Sequence, residues 1–228
     1  MFKTNISLII AFALFSFSKS VKSQDWANLG KYQSQNSVID IYGSQENRVV
    51  FMGNSITEGM PKSFFEGKPY INRGIGGQTT PQMLLRFRQD VIDLKPKIVL
   101  ILAGTNDIAG NTGPMTLEEI RDNILSMVEL AESNGIIPIV CAVLPAYDYP
   151  WRPGLLPNVK IPELNQLLSQ MAKEKKVPYL DYFKAMADDR NGLPKALTTD
   201  EVHLTAKGYA VLGELAEEAI EKALNMIK

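Results

Sequence analysis

The chain holds one histidine, His203, placed three residues after Asp200 and close to the end of 228 residues. An imidazole backed by a carboxylate is a general base: the carboxylate fixes the tautomer, and the far ring nitrogen is left to take a proton from a hydroxyl. A hydroxyl for that role stands near the other end, in Phe51-Met52-Gly53-Asn54-Ser55-Ile56-Thr57. There a glycine lets a strand turn sharply and present Ser55 at a helix start. Each piece alone has a plain structural alternative. A lone histidine before a helix can be a solvated loop residue, and Asn54-Ser55 can serve only as a helix cap.

Acyl transfer to a serine also needs hydrogen-bond donors for the oxyanion. Asn72-Arg73-Gly74-Ile75-Gly76-Gly77-Gln78-Thr79-Thr80 leaves a strand and enters a helix, with glycines that let backbone N–H groups approach a ligand closely. A dinucleotide fingerprint fails on its third glycine, which would fall where Thr79 stands. In Ala103-Gly104-Thr105-Asn106-Asp107 the Asn106 side chain can extend an N–H into the same pocket, while Asp107 anchors the loop. A simple Asn-Asp turn is the alternative there. Farther on, residues 146–154 bring Tyr147, Tyr149, Trp151 and Arg152 together. The rings suit a sugar face and the guanidinium a carboxylate or phosphate, unless the segment is only a rigid Pro-rich cover for the sheet end.

These residues meet only if the fold brings them together. Short apolar, β-branched runs at 48–52, 70–72, 97–103, 136–144 and 177–180 are bounded by Gly, Pro or Asn and read as strands. Between them lie helical patterns at 81–94, from the Thr116/Glu119 capping box to about 133, at 162–175, and from Thr205 onward. The alternation of strand and helix predicts one five-stranded parallel sheet with right-handed crossovers, and such sheets bind ligands outside the carboxyl ends of their strands. Ser55, Gly77, Asn106, the aromatic loop and the Asp200/His203 pair all fall after strands, so all are expected at one edge.

Composition narrows the function further. Lys3, the apolar stretch 6–17 and Val21-Lys22-Ser23 read as an export signal over 1–23, too short in its apolar part to span a bilayer. Residues 24–47 are a polar lead-in packed on the domain, and 48–228 form the domain itself. The expected location is periplasmic or secreted, with no stable membrane insertion after signal removal and, for want of a nearby cysteine, no lipid-modified anchor. The formal net charge of −1 becomes more negative when Lys3, Lys19 and Lys22 leave with the signal, which argues against nucleic-acid binding. One cysteine, Cys141, excludes an internal disulfide, and one histidine with one cysteine argues against a zinc site. The oligomeric state is not legible.

Taken in order, Gly-Asn-Ser-Ile-Thr at 53–57, Asn-x-Gly-x-Gly-Gly-x-Thr-Thr at 72–80, Gly-Thr-Asn-Asp at 104–107 and Asp-x-x-His at 200–203 resemble the four blocks of the SGNH or GDSL-type hydrolases. The second and third blocks are most similar to the platelet-activating-factor acetylhydrolase catalytic-subunit branch, and exported bacterial carbohydrate esterases look similar. The resemblance implies a flavodoxin-like three-layer α/β/α sandwich, no cofactor, Ser55, Asp200 and His203 as the catalytic set, and Ser55, Gly77 and Asn106 as the oxyanion hole. The usual aspartate before the serine is Asn54 here, which keeps the hydrogen-bonding shape and loses the charge. The substrate expected is a small acyl ester, acetyl above all, on a small molecule or polysaccharide. A phospholipid or lysophospholipid acylhydrolase is the nearer rival, and a non-catalytic carbohydrate-binding protein the distant one.

Overall fold

A computed structural model describes residues 25–39 and 47–226. The export signal over 1–23 and its cleavage point lie outside the described residues. At the centre is an all-parallel sheet of five strands: β1 (Val49–Gly53), β2 (Tyr70–Gly74), β3 (Ile98–Leu102), β4 (Ile137–Cys141) and β5 (Tyr179–Leu180). Their spatial order is β2-β1-β3-β4-β5, the flavodoxin-like arrangement, with parallel pairing throughout.

The strand sequences dictate three layers, because successive side chains alternate between faces and both sets are apolar. Val50, Met52, Val99, Ile101 and Val140 pack under helices α4 (Thr80–Asp90), α6 (Leu117–Ser133) and α7 (Pro157–Lys175). Val49, Phe51, Ile98, Leu100 and Ile139 face α8 (Tyr182–Met186) and α9 (Ala206–Asn225) on the other side. Each such side chain, fully withdrawn from water, contributes roughly 1.5–3 kcal/mol. Short helices α1 (Gln33–Asn36), α2 (Ser55–Glu58), α3 (Lys62–Phe65) and α5 (Thr105–Ile108) and a 3-10 turn at Ile92–Leu94 complete the elements of the described residues. No helix among the described residues is long and apolar enough to cross a membrane.

Several bounds depart from the sequence reading: the helix read over 81–94 ends at Asp90, with a 3-10 turn at Ile92–Leu94, and the last strand is only Tyr179–Leu180. The fourth strand stops at Cys141 although apolar residues continue to Leu144, because its neighbour β5 is only two residues long and Asn165 takes over the backbone beyond. The Asn165 side chain accepts from Val143 N–H at 2.7 Å and donates to Val143 C=O at 3.0 Å. Helix α7 begins at Pro157, not Pro162, so Pro162 sits inside the helix. A proline there cannot donate to the carbonyl four residues back, which is that of Asn158. Asn191 Nδ2 donates to that carbonyl instead, at 3.1 Å.

Residues 25–39 run along α4. Gln82 and Gln89 donate to the carbonyls of Trp26 and Leu29, each at 2.6 Å, while Tyr32 and Ala27 are buried. Beneath them lies a charged pair that is almost wholly enclosed, Arg86 Nη1 to Asp90 Oδ2 at 3.0 Å, both less than 2% exposed. Arg86 also donates to Gln78 Oε1 at 2.6 Å and to the carbonyl of Gly53 at 3.1 Å, so it ties β1 to the loop after β2. Removing one member of such a pair strands the other charge in the interior. Arg86→Met is therefore expected to cost about 3–5 kcal/mol, read as a fall in the urea midpoint at unchanged slope; a loss under about 1 kcal/mol would contradict this assignment.

Candidate active site

Ser55 is the first residue of α2, directly after β1. Asn54 caps that helix, its Oδ1 accepting from Ile56 N–H at 3.0 Å, and is itself buried. The cap needs an acceptor, not a charge, so the asparagine sustains the turn. Gly53 serves by its size: a Cβ there would lie 2.0 Å from Thr57 Oγ1 and 3.0 Å from the Leu102 carbonyl. Its φ is not positive, so space between β1, α2 and β3 demands glycine here, not an unusual turn conformation.

His203 reaches this serine from 148 positions away, with Nε2 at 3.0 Å from Ser55 Oγ. Its Nδ1 is 2.7 Å from Asp200 Oδ2, and its backbone N–H donates to Asp200 Oδ1, also at 2.7 Å. Burial alone would raise the Asp200 carboxyl, but the His203 N–H and imidazole, with the Val202 N–H, outweigh it and hold Asp200 below its ordinary value. The ionised carboxylate can only accept, so Nδ1 carries the proton and Nε2 offers its lone pair to the serine hydroxyl. The turn that makes this possible has Glu201 in the left-handed region at φ +71°, and Thr198 Oγ1 and Thr199 N–H both donate to the His203 carbonyl.

The glycine loop after β2 is pinned at nearly every polar atom. Gly74 N–H donates to Asn72 Oδ1, Ile75 N–H to the Gly53 carbonyl, Gly76 N–H to Glu58 Oε2, Gln78 N–H to the Ile75 carbonyl, and Thr79 N–H to Gln82 Oε1. Thr80 gives both its N–H and its hydroxyl to Asp107 Oδ1, at 2.8 and 2.6 Å. Gly77 N–H alone in this stretch has no acceptor among the described residues, and Gly77 stands at φ +76°, where a side chain would be strained. Ser55 N–H is likewise without one. Asn106 is buried and spends one amide hydrogen on the Gln78 carbonyl at 3.0 Å, leaving its second. Three unspent donors thus belong to Ser55, Gly77 and Asn106. Burial raises the Asp107 carboxyl, opposed by the Thr80 donors, and Asp107 acts as the anchor of α5 on α4.

In the aromatic loop, Trp151 is 43% exposed and lies beside the histidine, ring centroids 6.2 Å apart. Tyr149 departs from the expectation of substrate contact. It is wholly buried and stacks at 5.1 Å against Trp151, so it backs that ring without facing the cleft. Arg152 Nη1 donates to the carbonyls of Ala109 and Gly110, which commits part of its guanidinium to holding the loop on α5. Tyr147 is exposed and carries the Arg190 guanidinium over its ring at 4.9 Å. Glu58, Gln78 and Asn111, whose Nδ2 donates to the Gly77 carbonyl at 3.0 Å, escaped the sequence reading. Their roles are set by partners distant in the chain, and only an acid one turn after the serine could have drawn notice.

Residues 51–211 match the model of the GDSL-like lipase/acylhydrolase family. A solved structure described as a putative acylhydrolase from Bacteroides fragilis is 46% identical, with a TM-score of 0.85, over 88% of this chain and 99% of that one. The isoamyl acetate-hydrolyzing esterase of Saccharomyces cerevisiae is 27% identical over 164 residues, covering 66% of this chain and 68% of that protein. The uncharacterized lipoprotein YqeF of Bacillus subtilis is 41% identical over 81 residues, or 34% of this chain, and the match spans only 33% of that relative's length.

The capping role of residue 54 is open to a direct check. Asn54→Ala should lose about 1 kcal/mol in thermal or chemical unfolding, whereas Asn54→Asp, which keeps the acceptor, should stay within about 0.5 kcal/mol of the parent. Equal losses in both would mean that the amide nitrogen, not the cap, matters.

Proposed function

This chain belongs to the GDSL-like lipase/acylhydrolase family, and we propose that it is a serine esterase that removes small acyl groups, acetyl above all, from carbohydrate. The observation that carries the reading is the continuous hydrogen-bonded series from Ser55 Oγ through the His203 ring to Asp200. Ser55 Oγ attacks the ester carbonyl as His203 Nε2 takes its proton, and the imidazolium that forms is stabilised by the Asp200 carboxylate. The carbonyl oxygen becomes an oxyanion met by the N–H groups of Ser55 and Gly77 and the free amide hydrogen of Asn106. Collapse of this intermediate breaks the bond to the leaving alcohol, which receives its proton from His203. Water then repeats the sequence on the acyl-serine, returning the enzyme and a carboxylic acid.

The name of the yeast relative supports an acetyl group, since it describes the hydrolysis of an acetate ester. Trp151 supports a sugar: a flat, half-exposed ring beside the general base is a platform for a pyranose face. The N-terminal signal pattern and the lipoprotein relative support export. The rival reading is a longer acyl chain or a lipid, and a chain-length series decides between the two.

Ser55→Ala is expected to abolish hydrolysis of 4-nitrophenyl acetate and labelling by a fluorophosphonate while the circular dichroism spectrum is unchanged. Asn106→Ala should lower kcat on the order of a hundredfold, and Asp200→Asn about a thousandfold or more, because an amide in place of the carboxylate disturbs the tautomer. Parent-like turnover by the serine variant would refute the mechanism. On acylated sugars, rates should fall from acetyl to butyryl to octanoyl, and Trp151→Ala should raise KM with kcat retained. A preference for octanoyl would transfer the assignment to lipid esters.

A further inference from the structure

We propose that residues 25–39, upstream of the family match at 51–211, clamp the Gly76-Gly77 turn, with Lys31 and Glu58 as positioning residues for the oxyanion donor; this rests on the esterase reading above. Glu58 lies one helical turn after Ser55, and its carboxylate is divided between two partners. Oε2 accepts from Gly76 N–H at 2.7 Å, and Oε1 accepts from Lys31 Nζ at 2.8 Å. The same upstream segment holds the loop on either side: the Tyr32 hydroxyl donates to the Gly74 carbonyl, and Gln78 Nε2 donates to the Ala27 carbonyl at 2.7 Å. Positions 74, 76 and 78 are thus tied to residues 25–39, the middle one through Glu58.

The need for such ties follows from the glycines. Two in succession leave the intervening peptide plane, which carries the Gly77 N–H, free to swivel, at a conformational-entropy cost each time it must be aimed. Glu58 fixes the plane before it and Asn111 the plane after it, so the unpaired N–H points in one direction. A carboxylate suits the task because hydrogen bonds to an ionised acceptor are stronger than neutral ones. It also brings a negative charge next to the place where an oxyanion forms, which would oppose the reaction. Lys31 supplies the compensating charge. Burial would raise the Glu58 carboxyl, but Lys31 and the Gly76 N–H prevail and hold it below its ordinary value, so it stays ionised while the site works.

A merely structural ion pair predicts a different result from a positioning one. The Lys31 and Glu58 side chains are 40% and 37% exposed, so their pairing contributes little to folding, and the melting temperature should hardly move in Lys31→Met. Turnover should move: kcat on 4-nitrophenyl acetate is expected to fall about tenfold in Lys31→Met and roughly 10- to 100-fold in Glu58→Ala, with KM within about twofold. Lys31→Arg should restore most of the loss. Amide hydrogen exchange gives a readout independent of catalysis, and Gly76 N–H should exchange at least about tenfold faster in Glu58→Ala. Unchanged Gly76 exchange overturns the clamp. Faster exchange with unchanged kcat overturns the positioning role alone, whereas an inactive parent that resists fluorophosphonate overturns the esterase reading and, with it, any catalytic part for Glu58.

Discussion

A hydroxyl and an imidazole separated by 148 positions stand 3.0 Å apart, and no local interaction could hold them there. The serine's place in that meeting depends on the level alignment of parallel strands, and the histidine's on the turn that Asp200, Thr198 and Thr199 hold. Gly53, the last residue of β1, is in register with Gly74 at the end of β2 on one side and with Leu102 at the end of β3 on the other. Three chains therefore leave the sheet at the same height. The serine turn, the glycine loop and the Asn106 turn each begin within a few residues of that line. A shift of one strand by a single residue would exchange its two faces and move its loop by about 3.3 Å, enough to break the 3.0 Å contact between Ser55 and His203. Both faces of β1 are apolar, so polarity does not fix its register; the close packing of Phe51 against Phe64, Phe65 and Tyr70 opposes such a slip.

Above that line, order is imposed by polar contacts on a backbone with little order of its own. Asn106 binds the Gln78 carbonyl, Arg86 binds both the Gln78 side chain and the Gly53 carbonyl, and Asp107 receives two bonds from Thr80. The loops that follow three different strands thus share partners. Pre-aligned donors need no reorganisation when negative charge appears on the substrate, which is where most oxyanion stabilisation originates. The buried Arg86–Asp90 pair lies behind this assembly, where its desolvation cost is offset by the bonds Arg86 donates to Gln78 Oε1 and the Gly53 carbonyl and by the one Asp90 accepts from Asn36 Nδ2.

The strands and long helices were legible because their signals are periodic and local. The Thr116/Glu119 box starts α6 as its spacing predicts, and the β1 and β3 runs read directly as doubly buried strands. Ser55, Asp200 and His203 could be expected to meet because their types and order suit one chemistry, and the structure brings the serine and the aspartate each within hydrogen-bond reach of the imidazole. What could not be read depends on tertiary partners. Pro162 looks like a helix start from sequence, since nothing nearby reveals that Asn191 will serve the carbonyl it abandons. Tyr149 and Trp151 have similar side chains two positions apart, yet one is interior and the other faces the histidine. Only packing separates them.

That abandoned carbonyl has a wider meaning. A helix with an unbroken ladder would be self-contained, whereas α7 exports one of its acceptors to the stretch of chain that leads toward Asp200 and His203. The imperfection acts as a mooring point. Replacing α7 by an idealised segment of equal length and apolar face would improve the helix in isolation and free the stretch that leads toward His203, so helix regularity and tertiary anchoring pull in opposite directions at this proline.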